Sequence, residues 1–420
     1  MPHDELLTPN EAFRRLLEIS PDVRREQHGE AGSRRDAQSR HNAQPETVPL
    51  RQASGRVLFR KIGAPFPSPR FDRASRNGYA LRSDDASWTF RLVDRVTAGD
   101  VPERAVGKGE CVRVSSGAMM PEGSDLVVRT SYTREEDGLV TLQQFEAERN
   151  VIAAGSYAGA DDTILRPTLL EPADIATLAS FGIGEVEVAT PPRIGLIATG
   201  SELREPGATA EDGERYDSSR YYASIALTRR GLPVTDHGIV GDHPERLGDA
   251  VREALSGSEL VVLLGGISGG PNDTVRQVLS ELDMEPELHH LALKPGGAML
   301  TARSNGVLLL GLPGDPVAGL VALQLFVIPY VYRRMGIEQV TPADGEQRGT
   351  PAELAAEIAR TEAQREEYRP VHVAEGLAHP VEYHGPGHIG AFAAANALVR
   401  IDRGVHILEA GTRVETYPLV

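Results

Sequence analysis

The residues best suited to chemistry gather in four short stretches. The first is Leu263-Leu-Gly-Gly-Ile-Ser-Gly-Gly-Pro-Asn-Asp-Thr. An apolar run ends, Gly265, Gly266, Gly269 and Gly270 turn the chain, and Asn272 or Asp273 stands where a helix would be capped. Glycines let backbone N–H groups turn toward a ligand, and a helix start adds partial positive charge, so the stretch suits a phosphorylated small molecule. Four glycines within six residues exceed what a turn needs. Thr199-Gly200-Ser201-Glu202 offers two hydroxyls and a glycine amide to phosphate, and Glu202 offers a carboxylate to a metal ion. Lys294-Pro295-Gly296-Gly297 brings an ammonium group, and Gly311-Leu-Pro313-Gly314-Asp315-Pro another carboxylate. Alone, each reads as an ordinary strand-to-helix turn.

Other chemistries compete for the first stretch. Gly265 to Gly270 has the glycine spacing of a nucleotide-triphosphate loop, but Pro271-Asn272 replaces the Lys-Ser/Thr pair that would hold the phosphates and magnesium. No G-x-G-x-x-G follows a strand, so a dinucleotide site is unsupported. Gly266-Ile-Ser268-Gly-Gly270 matches a serine-nucleophile turn, for which Asp315 and His384 or His388 could complete a triad. Against it, Pro271-Asn272-Asp273 separates the serine from the next helix, and no glycine-rich oxyanion segment lies upstream. His379, His384 and His388 match no zinc spacing and read as exposed loop histidines.

The elements around these stretches explain how they would meet. From Arg193 to Met335 strands alternate with helices: strand Arg193–Ala198, helix Ser219–Arg230, strand Pro233–Val240, helix Pro244–Leu255, strand Leu260–Leu264, helix Asp273–Leu282, strands Leu288–Leu293 and Gly306–Leu310, and helix Pro316–Met335. That order predicts a doubly wound, mostly parallel sheet with helices on both faces. In such sheets ligands bind beyond the carboxyl ends of strands, and all four stretches fall there.

The rest of the chain divides by composition. Residues 1–62 are expected to form the first part of a helical linker domain, with an amphipathic helix opening at Pro9 and further helix from Val48 to Ile62. Between them, Pro21–Thr47 is polar and reads as a loosely held insertion. Residues 63–152 are β-rich, 153–190 carry a second linker segment with a helix near Leu170, 191–338 form the α/β domain, and 339–420 form a small β-barrel. A net charge of −16 argues against nucleic acid as a partner. No membrane span is expected, and the single Cys111 fits a reducing compartment, hence a cytoplasmic protein.

The motifs taken together, in order along the chain, resemble the molybdopterin molybdenumtransferase family, which includes the enzymatic domain of gephyrin. They are Phe71-Asp-Arg-Ala-Ser-Arg-Asn-Gly-Tyr-Ala, Ser116-Gly-Ala-Met-Met-Pro-Glu-Gly, Ala198-Thr-Gly-Ser-Glu-Leu, Tyr216-Asp-Ser-Ser-Arg, Gly265-Gly-Ile-Ser-Gly-Gly-Pro-Asn-Asp, Lys294-Pro-Gly and Gly311-Leu-Pro-Gly-Asp-Pro. The resemblance implies an elongated homodimer whose site lies between the α/β domain of one subunit and the β-rich domain of the other. It implies molybdopterin and molybdate as substrates, with adenylylated molybdopterin hydrolysed with Mg²⁺, and contacts with the adenylyltransferase of the same pathway and with apo-molybdoenzymes. Glu202, Asp242 and Asp273 then match metal-holding acids of the site, and Lys294 its lysine. Substrate contacts are implied at Asn77, Ser116, Thr199, Gly200, Ser201, Asp217, Gly265, Gly266, Ser268, Gly269, Gly270, His290, Pro295, Gly296, Pro313, Gly314 and Asp315.

Several positions depart from the family pattern. Asn77 stands for an aspartate, Tyr157 for an acid, and His290 and Gly297 for lysines; Asp315 stands for asparagine, and Asp217-Ser-Ser for Asp-Thr-Asn. Two acids and two cations are weakened together. The alternative function is therefore a catalytically impaired paralogue that binds molybdopterin as a carrier or scaffold.

Overall fold

The computed structural model describes residues 6–20, 44–267, 274–337 and 349–419. Its centre is a six-stranded sheet in the order Val234–Val240, Ile194–Thr199, Leu260–Leu264, Val307–Leu312, Ala298–Ser304, Glu287–His290. The first four strands are mutually parallel. Leu260–Leu264 and Ile194–Thr199 are buried along their whole length, as expected of strands covered by helices on both faces. One face packs into a core with Ala226, Leu227 and Phe326, the other into a core with Leu247, Val251 and Leu279.

Two sequence expectations change within this domain. Leu288–Leu293 is not one strand. Glu287–His290 stays in the sheet, and Leu293–Lys294 leaves it to pair in parallel with Glu366–Glu367 of the carboxyl-terminal domain. Ala298–Ser304 is an unforeseen strand that forms a hairpin with Val307–Leu312 and runs antiparallel to its neighbours. Its turn is Asn305-Gly306, both at positive φ (48° and 83°), the combination that matches the twist of paired strands.

The last helix of the domain runs from Pro316 to Arg334. It spans 19 residues and is apolar enough to cross a membrane by length and composition, but 78% of it is buried inside the protein, so it is a core helix. A π-helical stretch, Leu323–Val327, precedes Pro329, whose missing N–H would interrupt a regular helix there.

The linker region is less helical than expected. Val48–Ile62 contains no α-helix: Pro45–Pro49 is a strand paired with Glu185–Ala189, followed by a single 3₁₀ turn at Leu50–Gln52. Prolines at both ends and β-branched Thr47 and Val48 disfavour helix here. Thr47, expected at the end of the insertion, therefore belongs to a strand; the bulk of that insertion, 21–43, lies outside the described residues. The helix Pro172–Ser180 closes this small core, packing its Leu178 with Leu50, Leu58 and Leu170. The first helix, Pro9–Ile19, starts with a reciprocal cap between Thr8 and Glu11 and buries Phe13 and Leu16 in the α/β core.

The β-rich domain is a six-stranded sheet in which Gly78–Leu81 lies between Leu126–Arg129 and Glu110–Val114. In the carboxyl-terminal domain Glu366–Ala374, Leu377–Pro380, Thr350–Leu354, Arg413–Pro418 and Ala397–Ile401 pair in sequence. The last of these pairs with the first, closing a five-stranded barrel.

Candidate functional site

Three of the four stretches meet at one rim, joined there by Gly241-Asp242, because four adjacent parallel strands all end there; the Lys294 stretch instead follows a strand of the barrel sheet. Thr199 leads to Gly200-Ser201-Glu202, Val240 to Gly241-Asp242, Leu264 to Gly265-Gly266 and Leu312 to Pro313-Gly314-Asp315. The backbones touch. Gly265 has φ +98°, and a Cβ there would lie 2.5 Å from the Thr199 carbonyl oxygen. A Cβ on Gly314 would lie 3.1 Å from Gly265 Cα. Only glycine permits both the left-handed turn and this approach.

Hydrogen bonds tie the loops laterally. The Ser201 N–H donates to Asp242 Oδ2 at 3.0 Å, and the Asp242 N–H returns a bond to Ser201 Oγ at 2.9 Å. Thr199 Oγ1 lies 3.4 Å from Asp242 Oδ1. Arg215 joins two more loops: it donates to Glu202 Oε1 at 2.9 Å and lies 3.8 Å from Asp315 Oδ1. Sequence reasoning missed Arg215, whose signal would have been only a cation just before the Tyr216-Asp217 motif. A narrow crevice opens beside these ends, lined by Arg215, Tyr216, Asp217, Ser219, Leu264 and Gly314 among others.

Matches to known proteins cover nearly the whole chain. Residues 10–182 match the MoeA N-terminal region (domain I and II), 195–333 the probable molybdopterin binding domain, and 351–419 the MoeA C-terminal region (domain IV). A molybdopterin molybdenumtransferase of Staphylococcus aureus is 29% identical over 88% of this chain and 90% of its own length. That of Staphylococcus epidermidis is 28% identical over the same shares. A solved structure of the molybdopterin biosynthesis moeA protein from Pyrococcus horikosii aligns at 25% identity and TM-score 0.74, over 98% of this chain and 99% of that one. Another, from Pyrococcus horikoshii OT3, shares the fold at 22% identity and TM-score 0.77, over 99% and 100%. The chain belongs to the molybdopterin molybdenumtransferase family.

Several residues singled out by the family resemblance stand away from the rim or are already engaged. Asn77 and Ser116 meet each other in the β-rich domain: the Ser116 N–H donates to Asn77 Oδ1 at 2.8 Å, and Ser116 Oγ donates to the Ser75 carbonyl at 3.1 Å. Among the described residues none of their hydrogen bonds reaches the rim. Asp217 is buried and holds Arg220, accepting from its N–H at 3.0 Å and its Nε at 2.9 Å, so its carboxylate serves the protein's own ion-pair network. Arg220 also pairs with Asp236 and Glu205. Tyr157 is exposed, with its hydroxyl 3.4 Å from Arg73 Nη2.

Lys294 sits where the α/β domain meets the barrel. Its ammonium lies 4.0 Å from Glu367 Oε1, a buried barrel carboxylate also paired with Arg360 and Arg369. Pro295 behind it is in a cis peptide and buried, while His290 is exposed at the strand edge.

Ser268, Gly269, Gly270 and Asp273 lie outside the described residues. Among the described residues no group of three His, Cys, Asp or Glu side chains is placed to hold a metal ion. Glu202 and Asp242 still form a hard-oxygen pair on adjoining loops, each with lone pairs beyond those its hydrogen bonds use, which is donor chemistry that suits Mg²⁺. Of the residues the serine-nucleophile alternative would use, Asp315 lies 3.8 Å from Arg215, and His384 stacks on His388 and lies 3.2 Å from Glu382.

Proposed function

We propose that the chain inserts molybdenum into molybdopterin in molybdenum cofactor biosynthesis, taking adenylylated molybdopterin and molybdate and releasing AMP. The observation that carries this reading is the convergence of four strand-end loops, packed so closely at Gly265 that only backbone fits. Such a floor turns N–H groups and a helix start toward anionic oxygens.

Each part of the chain has a task in this reading. The Gly265-Gly266 and Pro313-Gly314 turns take phosphate oxygens, Thr199 and Ser201 orient them, and Lys294 balances their charge. Glu202 and Asp242, with Asp273 as a third ligand, would hold Mg²⁺, which neutralises phosphate charge when the anhydride is hydrolysed. Water supplies the oxygen and AMP leaves. Asn77 and Ser116 act from the β-rich domain of a second copy, as the family resemblance implies. In the same reading the protein is a homodimer that exchanges substrate and product with an adenylyltransferase and apo-molybdoenzymes.

The test is reconstitution: purified protein with adenylylated molybdopterin, molybdate and Mg²⁺, read as activation of an apo-molybdoenzyme and as AMP release. Activation with stoichiometric AMP is expected. No AMP and no activation, in a protein that still binds molybdopterin, would favour the carrier or scaffold reading, which the asparagine at 77 supports.

A further inference from the structure

The two rim carboxylates suited to a metal ion are held differently. Among the described residues Asp242 accepts from neutral donors, the Ser201 N–H at 3.0 Å and the Thr199 hydroxyl at 3.4 Å. Glu202 instead takes a charged donor, Arg215 Nη2, at 2.9 Å. Neutral donors can stay in place beside a bound cation, whereas a guanidinium on the same carboxylate repels it.

The fold fixes Arg215 in this position. Leu203–Arg204 and Arg215–Tyr216 form a short parallel pair that sets Leu203 beside Arg215. The Arg215 N–H donates to the Glu202 carbonyl at 2.9 Å, and the Asp217 N–H to the Arg204 carbonyl at 3.0 Å. An ion pair between Arg204 and Glu214 closes the connection between the two segments. The Glu202 carboxylate is placed just as closely: a Cβ on Gly200 would lie 2.5 Å from its Oε2, so glycine at 200 leaves it room to fold back over the rim.

Arg215 also has somewhere to go. While Nη2 bonds Glu202, Nη1 of the same guanidinium lies 3.8 Å from Asp315, beyond hydrogen-bond distance. Asp315 stands where the family resemblance expects asparagine, so the second carboxylate beside this arginine is a charge that the family pattern does not require. Arg215, Glu202 and Asp315 are 44%, 40% and 58% exposed. Ion pairs this open to water are weak enough for a divalent cation to break.

We propose that Arg215 is a built-in counter-cation that competes with a divalent metal ion for Glu202, and that metal binding moves the guanidinium off Glu202 and onto Asp315. The inference rests on the metal assignment in the functional reading above. In the metal-free protein Arg215 neutralises Glu202. Once released, it neutralises Asp315, so that only Glu202 and Asp242 of these three acids face the metal.

The probe is Mn²⁺ added to the full chain and followed by the electron paramagnetic resonance of the free ion, the rim site being the one lost in Glu202→Gln. Arg215→Met should tighten that site about fivefold, the upper range for a half-exposed ion pair. Arg215→Lys keeps a competing charge and should stay within twofold of wild type. A crystal structure with Mn²⁺ bound should show the Arg215–Glu202 hydrogen bond broken and Nη1 within hydrogen-bond distance of Asp315. The proposal is overturned if Arg215→Met binds Mn²⁺ no more tightly than Arg215→Lys, or if the bond to Glu202 persists beside the bound metal. If neither wild type nor Arg215→Met has a Mn²⁺ site that depends on Glu202, the metal assignment itself falls, and this proposal with it.

Discussion

Replacing Arg220 with methionine should cost far more stability than replacing Asp217 with asparagine, although the two are partners. The Arg220 side chain is 6% exposed and Asp217 only 1%. Arg220 has two further carboxylates, Glu205 and Asp236, which are 48% and 37% exposed and can fall back on water. Burial opposes the Arg220 charge, but attraction by Asp236 and hydrogen bonds to Asp217 and Glu205 hold its pKa above the ordinary guanidinium value. Methionine at 220 leaves the Asp217 carboxylate buried without a counter-charge, a loss of about 3–5 kcal/mol. Asparagine at 217 still accepts from the Arg220 N–H and leaves Arg220 two carboxylates, so the loss is about 1–2 kcal/mol. In a multi-domain chain a single melting curve mixes domains. The assay is therefore urea-dependent hydrogen exchange of peptides covering Ser219–Thr228, which reports local opening. Equal losses, or a larger loss for Asp217→Asn, would refute the argument that the network exists to neutralise Asp217.

Gly265→Ala forces a side chain onto the Thr199 carbonyl at 2.5 Å with φ +98°. It should cost about 2–5 kcal/mol in strain and overpacking and abolish molybdopterin binding in a fluorescence titration. Asn77→Asp keeps the acceptor that Ser116 uses, so it should fold normally and raise AMP release; an unchanged rate would show that this position does not limit turnover. Burial lowers the His289 pKa below the ordinary 6.5, so the folded chain binds this proton less readily than the unfolded chain. Stability from the neutral ring is whole above pH 6.5 and is lost as pH falls from there through the lowered folded pKa, and His289→Gln should flatten that decline in the hydrogen-exchange protection of peptides covering Glu287–His290. Burial pushes the Cys111 thiol up to about 12, so a maleimide should label it only after unfolding.

Repeating local patterns were legible in the chain. Continuous apolar runs such as Leu260–Leu264, the Pro-led helices and the glycine turns after each strand mark a parallel sheet and its ligand rim without any knowledge of contacts. The motif order carried the family for the same reason: glycine, proline and short polar residues are dictated locally by backbone geometry. What tertiary structure alone decided were pairings between distant segments. Leu293–Lys294 is too short to declare which sheet it joins, and only the barrel strand at Glu366–Glu367 gives it a partner. Pro45–Pro49 needs Glu185–Ala189, far along the chain, before it can be a strand. The use made of a charge is likewise non-local. Asp217 and Glu202 look alike as rim acids in sequence, yet one is buried and paired with Arg220 and the other is exposed and paired with Arg215. A side chain's chemistry follows from what the fold sets beside it, and a linear spacing does not contain that neighbour.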